Sequence, residues 1–250
     1  MTETTSNKNK EQKQKAEKAS NKTVLSKLIQ RLRVYYHLHK NRKFWQRYYS
    51  SHRKPTSQSP FAEFCLKQYI KKDNWVLELG CGNGRDALFF AANGINVLGL
   101  DLCREEISFL NKHYKNRKLG LGGNKLRFKY ADFSRYKARK KFDVIYSRFT
   151  IHSISEEQEI DTIKNSYKNL RDGGVLLIEV RSMKDDMFSK SEKLSSHEGV
   201  TDHYRRFIDL EIISNNLIKN NFEIMFSIES RGLAIYKDED PYIIRIVAKK

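Results

Sequence analysis

Short apolar runs alternate with segments of helical periodicity from about residue 60 to the end of the chain. Apolar runs of about four to eight residues bounded by Gly, Asn or Asp are typical of buried parallel strands, whereas apolar positions spaced three and four residues apart predict helices. We expect strands at 75–79, 96–100, 126–132, 142–146 and 174–180, helices at 85–92, 105–114, 156–170 and 209–220, and two closing strands at 222–230 and 241–249. This order predicts an α/β fold with a Rossmann-like, doubly wound, mostly parallel sheet and a C-terminal antiparallel hairpin.

The front of the chain has a different pattern. Residues 1–22 contain almost nothing apolar, and a segment of that composition cannot repay the entropy of ordering, so we expect a disordered basic tail. Residues 23–58 predict a basic amphipathic helical extension, followed by the main domain at 59–250. We expect the apolar face of this helix to pack on the main domain; the alternative is a surface that touches anionic lipid or a partner. The face consists of Leu25, Leu28, Ile29, Leu32, Tyr35 and Tyr36.

The net charge of +18, from 48 Lys and Arg against 30 Asp and Glu, is concentrated at the front of the chain. Residues 1–58 carry 15 of the basic and 3 of the acidic residues, a surplus of 12, which leaves a surplus of 6 for residues 59–250. A basic surplus indicates an anionic partner. Most of the basic surplus, and so most of the attraction to an anionic partner, lies in the extension, and little of it lies in the main domain.

Two features of the composition bear on the compartment. The first residues lack the apolar core and cleavage site of a secretory signal, and no apolar run approaches the roughly 20 residues that span a bilayer. Cys65, Cys81 and Cys103 form no CxxC pair and leave one cysteine over, which fits a reducing compartment and argues against a structural zinc. We expect a cytoplasmic protein, with the basic helix available to the inner face of the membrane.

The strongest local signal is VLELGCGNGRDALFFA at residues 76–91, where an apolar strand runs into a glycine-rich turn and a helix follows. Glycines let the backbone turn sharply and approach a ligand without a Cβ in the way. The segment lacks the Gly-Lys-Ser/Thr of a P-loop, and Arg85 stands where a dinucleotide fingerprint has its third glycine. Acids flank the turn instead, Glu78 in the first strand and Asp101 after the second, where a carboxylate can accept both ribose hydroxyls of a nucleoside.

The sequence ELGCGNG with an acid after the second strand resembles motif I and its successor in class I S-adenosylmethionine-dependent methyltransferases, over roughly residues 60–250. The resemblance implies the class I methyltransferase fold, with S-adenosylmethionine as cofactor and S-adenosylhomocysteine as product. It places Glu78, Gly80, Gly82 and Arg85 around the methionine part, Asp101 at the ribose, Asp132 and Phe133 at the adenine, and Ser147 and Arg148 beside the methyl group. The implied cofactor residues are Glu78, Gly80, Gly82, Arg85, Asp101, Leu102, Asp132, Phe133 and Ser147.

The segment after the fourth strand, YSRFTIHSIS, limits the classes of acceptor that the enzyme could methylate. It lacks the Asn/Asp-Pro-Pro-aromatic motif of amino-directed nucleic-acid methylases, the nucleophilic cysteine of cytosine-5 enzymes and the acidic ligands of metal-dependent catechol-type enzymes. A metal-free transfer to oxygen or nitrogen remains. Because a sulfonium is already an activated methyl donor, the protein has to align the acceptor, exclude water and take the acceptor's proton.

Histidines and arginines after the fourth strand are the candidates for that chemistry. We predict His152 as the base and His203 as the second candidate, since imidazole titrates near neutral pH, although either could be a surface or capping histidine. Arginine forks bind carboxylate or phosphate bidentately and predict an anionic acceptor, although Arg205 and Arg206 could form a solvated face. The predicted catalytic residues are His152, Arg148 and His203, and the predicted substrate residues are Tyr48, Arg148, Arg181, Arg205, Arg206 and Arg231.

The stretch FWQRYYSSHRKPTSQSPFAEFC before the glycine turn, with YSRFTIHSI, DHYRRF and SRGLAIYKDEDPYIIRIV after it, resembles a subgroup met in bacterial surface-polysaccharide (capsule) gene clusters. Within it, the chain is similar to enzymes that O-methylate phosphoramidate or related phosphate groups. The resemblance implies that the stretch before the glycine turn forms a lid over the cofactor, through Tyr48, Tyr49, Ser59 and Phe61. It does not explain the basic helix.

The leading hypothesis is methylation of an oxygen on a small anionic acceptor, of phosphate or phosphoramidate type or a sugar precursor of surface polysaccharide. One alternative is an RNA methyltransferase whose basic extension follows the phosphates, although we recognise no RNA-binding module. Another is a protein that binds S-adenosylmethionine without turning it over. Besides the acceptor, the basic helix predicts contact with a membrane surface or an assembly.

Overall fold

Helices and strands alternate through most of the chain, in the order that the hydrophobic pattern predicts. The computed structural model describes the backbone of residues 3–114 and 125–250, and their side chains from Leu25 onward apart from that of Lys27. The elements are α1 (Glu3–Ser51), α2 (Pro60–Gln68), β1 (Trp75–Leu79), α3 (Arg85–Ala92), β2 (Asn96–Asp101), α4 (Arg104–Tyr114), β3 (Leu126–Tyr130), β4 (Phe142–Arg148), α5 (Glu156–Asn169), β5 (Leu170–Arg181), α6 (Asp186–Lys190), β6 (Glu192–Lys193), β7 (Glu198–Val200), β8 (Tyr204–Arg206), α7 (Leu210–Lys219), β9 (Glu223–Ser230) and β10 (Ile243–Lys249), with 3₁₀ turns at Phe133–Arg135 and Ile151–Ser153.

Seven strands form the central sheet in the order β3-β2-β1-β4-β5-β10-β9. The strands from β3 to β5 are parallel, and β10 runs antiparallel to both β5 and β9. The predicted fold class, including its closing hairpin, is confirmed. The strand order reverses between β1 and β4, and ligands of open α/β sheets bind outside the carboxyl ends of the strands at such a point.

Helices cover both faces of the sheet. Val76 of β1 lies in a buried cluster with Phe90 of α3, whereas its neighbour Leu77 lies in a second cluster with Ile163 of α5 and Leu217 of α7. Successive side chains of a strand point to opposite faces, so burial on both sides explains the continuous apolar run of β1.

Several short elements do not follow from the hydrophobic pattern. Helix α2 begins at Pro60, and the Ser59 side chain caps it by accepting a hydrogen bond from the Ala62 N–H at 3.0 Å. Strands β6, β7 and β8 form a separate three-stranded antiparallel sheet. Strands of two or three residues are too short to show a period of two, which is why the sequence did not predict them.

Helix α1 is longer than the predicted extension. It begins at Glu3, so residues 3–22, for which the sequence predicts a disordered tail, are helical in the structure. That segment is rich in Lys, Glu, Gln and Ala, which have high helix propensity whether or not they are buried. The domain boundaries at residues 22 and 58 stay predictions.

The apolar stripe of α1 faces solvent instead of the main domain. Leu25, Leu28, Ile29 and Leu32 are each at least half exposed, as are Tyr35 and Tyr36. The helix contacts the domain through its opposite side, where the Gln30 side chain donates to the Leu194 carbonyl at 3.4 Å and the buried Asn41 side chain donates to the Ser153 carbonyl at 3.2 Å. The expectation that the stripe packs on the domain is therefore wrong, because periodicity defines an apolar face without specifying what covers it.

Candidate active site

A cavity of about 1510 Å³ opens at the carboxyl ends of β1, β2, β4 and β5, and the second half of α1 forms its roof. This is the edge of the sheet where the strand order reverses. The cavity brings together most of the predicted site residues: Tyr48, Tyr49, Glu78, Gly80, Arg85, Asp101, Leu102, Asp132, Phe133, Arg148, His152, Arg181, His203 and Arg205.

The glycine turn after β1 has a conformation that requires glycine. Gly80 and Gly82 have φ values of +68° and +51°, in the left-handed region. A Cβ at Gly80 would lie 2.1 Å from Thr150 Cγ2, and one at Gly82 would lie 2.4 Å from the Tyr49 hydroxyl oxygen. The turn therefore has no room for side chains on either side, and Gly82 contributes to the site through its backbone.

Asp101 holds this turn from the end of β2. Its Oδ2 accepts a hydrogen bond from the Gly82 N–H at 2.9 Å, and its Oδ1 accepts one from the Cys103 N–H at 2.8 Å. Burial raises the pKa of Asp101, while these N–H groups oppose the rise. Each carboxylate oxygen can accept a second hydrogen bond, so Asp101 keeps acceptor capacity for a ligand.

Glu78 places a second carboxyl group at the same end of the cavity. The residue is 5% exposed, and its Oε2 has no hydrogen-bond partner among the described residues. Burial, followed by the negative charge of Asp86, raises the pKa of Glu78 well above its usual range. An unpaired buried carboxyl oxygen at a cavity wall is a place for a cationic or hydrogen-bond-donating ligand group.

The end of α1 closes over the glycine turn. The Tyr49 ring stacks on that of Trp45 with centroids 5.8 Å apart, and burial raises the pKa of Tyr49. The Asn83 side chain, which sequence reasoning missed, donates to the His52 carbonyl at 3.0 Å and ties the turn to the residue after the helix. The lid role implied for Tyr48 and Tyr49 is compatible with this placement.

His152 follows β4 and is buried in the wall of the cavity. Its Nδ1 accepts a hydrogen bond from the Arg181 N–H at 3.5 Å. Burial, followed by the charges of Arg181 and Arg205, lowers its pKa well below the usual range, so the ring is neutral near pH 7. A neutral imidazole that accepts at Nδ1 carries its proton on Nε2, so in this arrangement His152 is a hydrogen-bond donor to the cavity.

His203 has the opposite arrangement. Its Nδ1 lies 3.0 Å from Asp202 Oδ2, and its ring stacks on Phe44 with centroids 4.2 Å apart. Burial, followed by the charge of Arg205, lowers its pKa to about 4. The Nδ1–Asp202 contact lacks hydrogen-bond geometry, so neither ring nitrogen of His203 has a hydrogen-bond partner in the described part of the chain. A proton on Nδ1, toward the Asp202 carboxylate, leaves Nε2 as an acceptor.

Three of the predicted arginines lie along the same wall, each held by a carboxylate. The contacts are Arg148 Nε to Glu179 Oε1 at 2.9 Å, Arg181 Nη1 to Asp185 Oδ2 and Nη2 to Glu239 Oε2, both at 2.9 Å, and Arg205 Nη1 to Asp202 Oδ1 at 2.7 Å. Such pairs fix the direction of a guanidinium, which presents five N–H donors in all.

Two predicted substrate residues lie away from the cavity. Arg206 is buried and donates to Glu159 Oε2 at 2.9 Å, behind the wall. Successive side chains of β8 point to opposite sides, so Arg205 faces the cavity and Arg206 cannot. Arg231, directly after β9, is exposed, pairs with Asp186 at 2.8 Å and does not line the cavity. The structure places neither with the other arginines.

Three predicted cofactor residues also lie behind the cavity wall. Ser59 bonds the buried Asp86 carboxylate through its N–H at 2.9 Å and its hydroxyl at 2.8 Å. Phe61 is core and stacks on Tyr146 at 5.1 Å, and Ser147 is fully buried. Neither Ser59, Phe61 nor Ser147 lines the cavity, and all three support the elements that do.

Other polar residues of the wall were missed by sequence reasoning. Thr150 packs on Gly80 and donates to the Leu79 carbonyl at 2.9 Å. Asp202 contacts both His203 and Arg205. The acid directly before the histidine in DHYRRF was the available signal for Asp202, whereas nothing local marks Thr150. Within the described ranges, no group of three or more His, Cys, Asp or Glu side chains could hold a metal ion, and all three cysteines are free and buried.

Comparisons with known sequences identify the glycine turn and the strands around it. Residues 76–174 match the family described as "Methyltransferase domain". The chain is 28% identical to malonyl-[acyl-carrier protein] O-methyltransferase 2 of Ilyobacter polytropus over 158 residues, 62% of this chain and 57% of the relative. It is 32% identical to the ubiquinone biosynthesis O-methyltransferase of Pelagibacter ubique over 104 residues, 41% of this chain and 40% of the relative. The chain thus spans about half the length of these relatives.

Comparisons with solved structures agree on the fold. An S-adenosylmethionine-dependent methyltransferase from Methanosarcina mazei superposes with a TM-score of 0.66 at 20% identity, covering 74% of this chain and 96% of that one. The glycopeptide N-methyltransferase MtfA in complex with S-adenosylmethionine superposes with a TM-score of 0.59 at 14% identity, covering 77% and 94%. The predicted class I methyltransferase fold is confirmed, and the family match with these relatives agrees with the predicted enzyme class and cofactor.

The cavity fits this cofactor on its own evidence. The unpaired Glu78 carboxyl oxygen suits a cationic amino group, and the spare acceptor capacity of Asp101 suits ribose hydroxyls. Asp132 and Phe133 line the same end, where a buried aromatic ring suits a nucleobase.

Replacing Gly80 by Ala should destabilise the glycine turn through two separable effects. The Cβ clashes with Thr150 Cγ2, and the positive φ adds backbone strain of about 1–2 kcal/mol. We expect Gly80→Ala to lower the free energy of unfolding by about 2–4 kcal/mol and to abolish cofactor binding. Thr150→Ser removes the clashing methyl and keeps the hydroxyl that bonds Leu79, so the double variant should recover part of the stability in urea denaturation. No recovery would show that backbone strain alone sets the cost.

His203 should make the protein less stable as the pH falls. Its pKa of about 4 in the folded chain lies below the ordinary 6.5, so between these values the unfolded state binds more protons than the folded state. Stability attributable to this group is therefore lost by up to about 1.4 kcal/mol per pH unit as the pH falls through that window. His203→Phe, which keeps the stacking on Phe44, should gain on the parent between pH 6.5 and 4 in urea titrations referenced to pH 8. A constant difference across this range would contradict the assignment.

Proposed function

We propose that this chain, whose residues 76–174 match a methyltransferase domain, is an S-adenosylmethionine-dependent enzyme that methylates an oxygen of a small acceptor carrying an anionic group. Acceptors of phosphate or phosphoramidate type, or a sugar precursor of surface polysaccharide, have this chemistry. The observation that supports the proposal is the wall of Arg148, Arg181 and Arg205 beside two neutral histidines, at one end of the cofactor cavity.

The charges of the cavity divide between its two ends. Carboxyl groups of Glu78, Asp101 and Asp132 line the cofactor end, and they suit a ligand with a sulfonium and an ammonium group. At the other end, the charges of Arg181 and Arg205 add to burial in lowering the pKa of His152, so both guanidinium groups act on the space beside that ring although each has a carboxylate partner. The same field stabilises a phosphate or carboxylate there.

When bound, the cofactor supplies a methyl group on a sulfonium, which needs no further activation. What the protein must add is alignment of the acceptor, exclusion of water and removal of a proton. Phe44, Trp45, Tyr48 and Tyr49 form an aromatic roof over the cavity, and their apolar rings would limit the access of water to a bound substrate.

We assign the base to His203 ahead of His152. With a proton on Nδ1, 3.0 Å from the Asp202 carboxylate, Nε2 of His203 is the nitrogen that can take the hydroxyl proton. His152 instead presents an N–H that can hold the acceptor oxygen by a hydrogen bond. The low pKa of His203 is partly due to Arg205, so an anion bound at Arg205 offsets that charge and makes His203 a stronger base. An anionic acceptor thereby favours its own deprotonation.

The names of the relatives do not identify the acceptor of this chain, because they include both oxygen and nitrogen methyltransferases.

A panel of sugar phosphates, phosphoramidates and nucleotide sugars tests the proposal. We expect the anionic members to be substrates and to give release of S-adenosylhomocysteine. Arg205→Gln should raise KM for the active acceptor about tenfold or more, since a charge-assisted contact is lost. The matched control is Arg231→Gln, at the predicted substrate residue outside the cavity, which should leave KM unchanged. Turnover limited to neutral acceptors or to bulk RNA with a steep salt dependence would overturn the proposal, and no release with any acceptor would favour a non-catalytic binding protein.

The assignment of the base makes a separate prediction. His203→Gln should lower kcat about 10²- to 10⁴-fold with KM nearly unchanged, because it removes proton transfer. His152→Gln should have a smaller effect, since an amide N–H can replace the imidazole N–H as a donor. His197→Gln, at a histidine that lines a different pocket, serves as the control. A larger loss from His152→Gln than from His203→Gln would return the base to His152.

A further inference from the structure

We propose that the outer face of α1 docks on a membrane surface that carries anionic lipid. The outer face consists of Leu25, Leu28, Ile29, Leu32 and Tyr36, whose side chains are each at least half exposed. Their three- and four-residue spacing places them in one stripe along the helix. The stripe lies opposite the side that bonds the main domain, so docking leaves the packing of α1 on the domain intact. A continuous apolar stripe of this kind is unusual on the surface of a protein that has no partner for it.

The charged side chains of α1 beside the outer face are all basic. Between Glu17 and Glu63 the sequence contains eleven Lys and Arg and no Asp or Glu. At 3.6 residues per turn, Arg31 projects to one side of the stripe, and Arg33 projects to the other side, where it pairs with Glu192 of the main domain at 3.3 Å. An apolar stripe with basic flanks and aromatic residues is the composition of helices that lie in the plane of an anionic bilayer surface.

Charge complementarity distinguishes this partner from two others. A second copy of the chain would bring basic flanks against basic flanks, which like-charge repulsion disfavours. RNA would pair with the arginines but leave the leucines in water. An anionic bilayer accepts both parts, since the leucines enter the interfacial region and the arginines meet the headgroups. Along the described residues, no helix is long and apolar enough to cross a membrane, so the contact proposed is an interfacial one.

The outer face is independent of the cavity. None of its five residues lines the cavity, and the proposal does not depend on the acceptor. The same helix forms the roof, however, and Trp45 follows Tyr36 by nine residues, about 14 Å along the helix axis. Docking through the outer face therefore brings the cavity near the lipid surface.

The test is co-sedimentation of the full chain with vesicles. We expect binding to an equal mixture of phosphatidylcholine and phosphatidylglycerol at low salt, weaker binding at high salt, and little binding to phosphatidylcholine alone. The triple variant Leu28→Ser, Ile29→Ser, Leu32→Ser should lower the affinity about tenfold or more, because it removes most of the buried apolar area. The matched control Ile218→Ser, at an isoleucine of α7 that is also more than half exposed, should bind like the parent.

Calorimetric binding of S-adenosylmethionine verifies that the triple variant is folded. If it is not, Arg31→Glu provides a second test, since it keeps the stripe and should weaken binding severalfold at low salt only. No binding of the parent to the mixed vesicles would overturn the proposal. So would a triple variant that binds as well as the parent, a parent dimer that the triple variant dissociates without any change in lipid binding, or bulk RNA that binds the parent where the vesicles do not.

Discussion

The carboxylate of Asp101 is the contact on which the cavity depends. It accepts hydrogen bonds from the backbone N–H groups of Gly82 and Cys103, and so joins the turn after β1 to the residues after β2. The turn passes through three left-handed residues, Gly80, Gly82 and Gly84, and packs against Thr150 on one side and Tyr49 on the other, so its path cannot shift without a clash. Asp101 fixes that path and still has acceptor capacity for a ligand. One side chain thereby fixes the loop and keeps acceptor capacity at the cavity.

A second buried carboxylate, that of Glu179, positions a side chain of the cavity wall, as Asp101 positions the glycine turn. Glu179 of β5 is fully buried and accepts from Arg148 at 2.9 Å and from Arg245 at 2.8 Å. Burial raises its pKa, and the two guanidinium charges oppose that rise. A carboxylate in the middle of a sheet is costly without such partners, so the contact holds Arg148 at the cavity wall from behind. The direction of the Arg148 side chain is therefore set by a residue of the buried core.

The strands and the cofactor loop could be predicted because their signals are contiguous in the sequence. Parallel strands buried on both faces give unbroken apolar runs, and the turn with its flanking acids lies within about 25 residues. The wall of arginines and histidines is assembled from separate segments, and the structure brings only some of the residues predicted for it together. Arg205 and Arg206 are equivalent as sequence, yet the two-residue period of β8 sends one to the cavity and the other to Glu159. The stripe of α1 had the right spacing for a core face, but only the structure shows that the opposite side makes the contact.

The basic character of the chain thus separates into parts that act over different distances. In the main domain, Arg148, Arg181 and Arg205 sit against carboxylates, so their pairs have little long-range field and matter only to a ligand in contact with them. The extension lacks acids from residue 18 to 62, so its charges add and attract a large anionic surface from several ångströms away. One chain can therefore bind both a small anionic acceptor and an extended anionic surface. The acceptor would contact the arginines of the cavity, and the surface would contact the basic residues of the extension. A high isoelectric point alone would not have distinguished this arrangement from one that binds nucleic acid in the cavity.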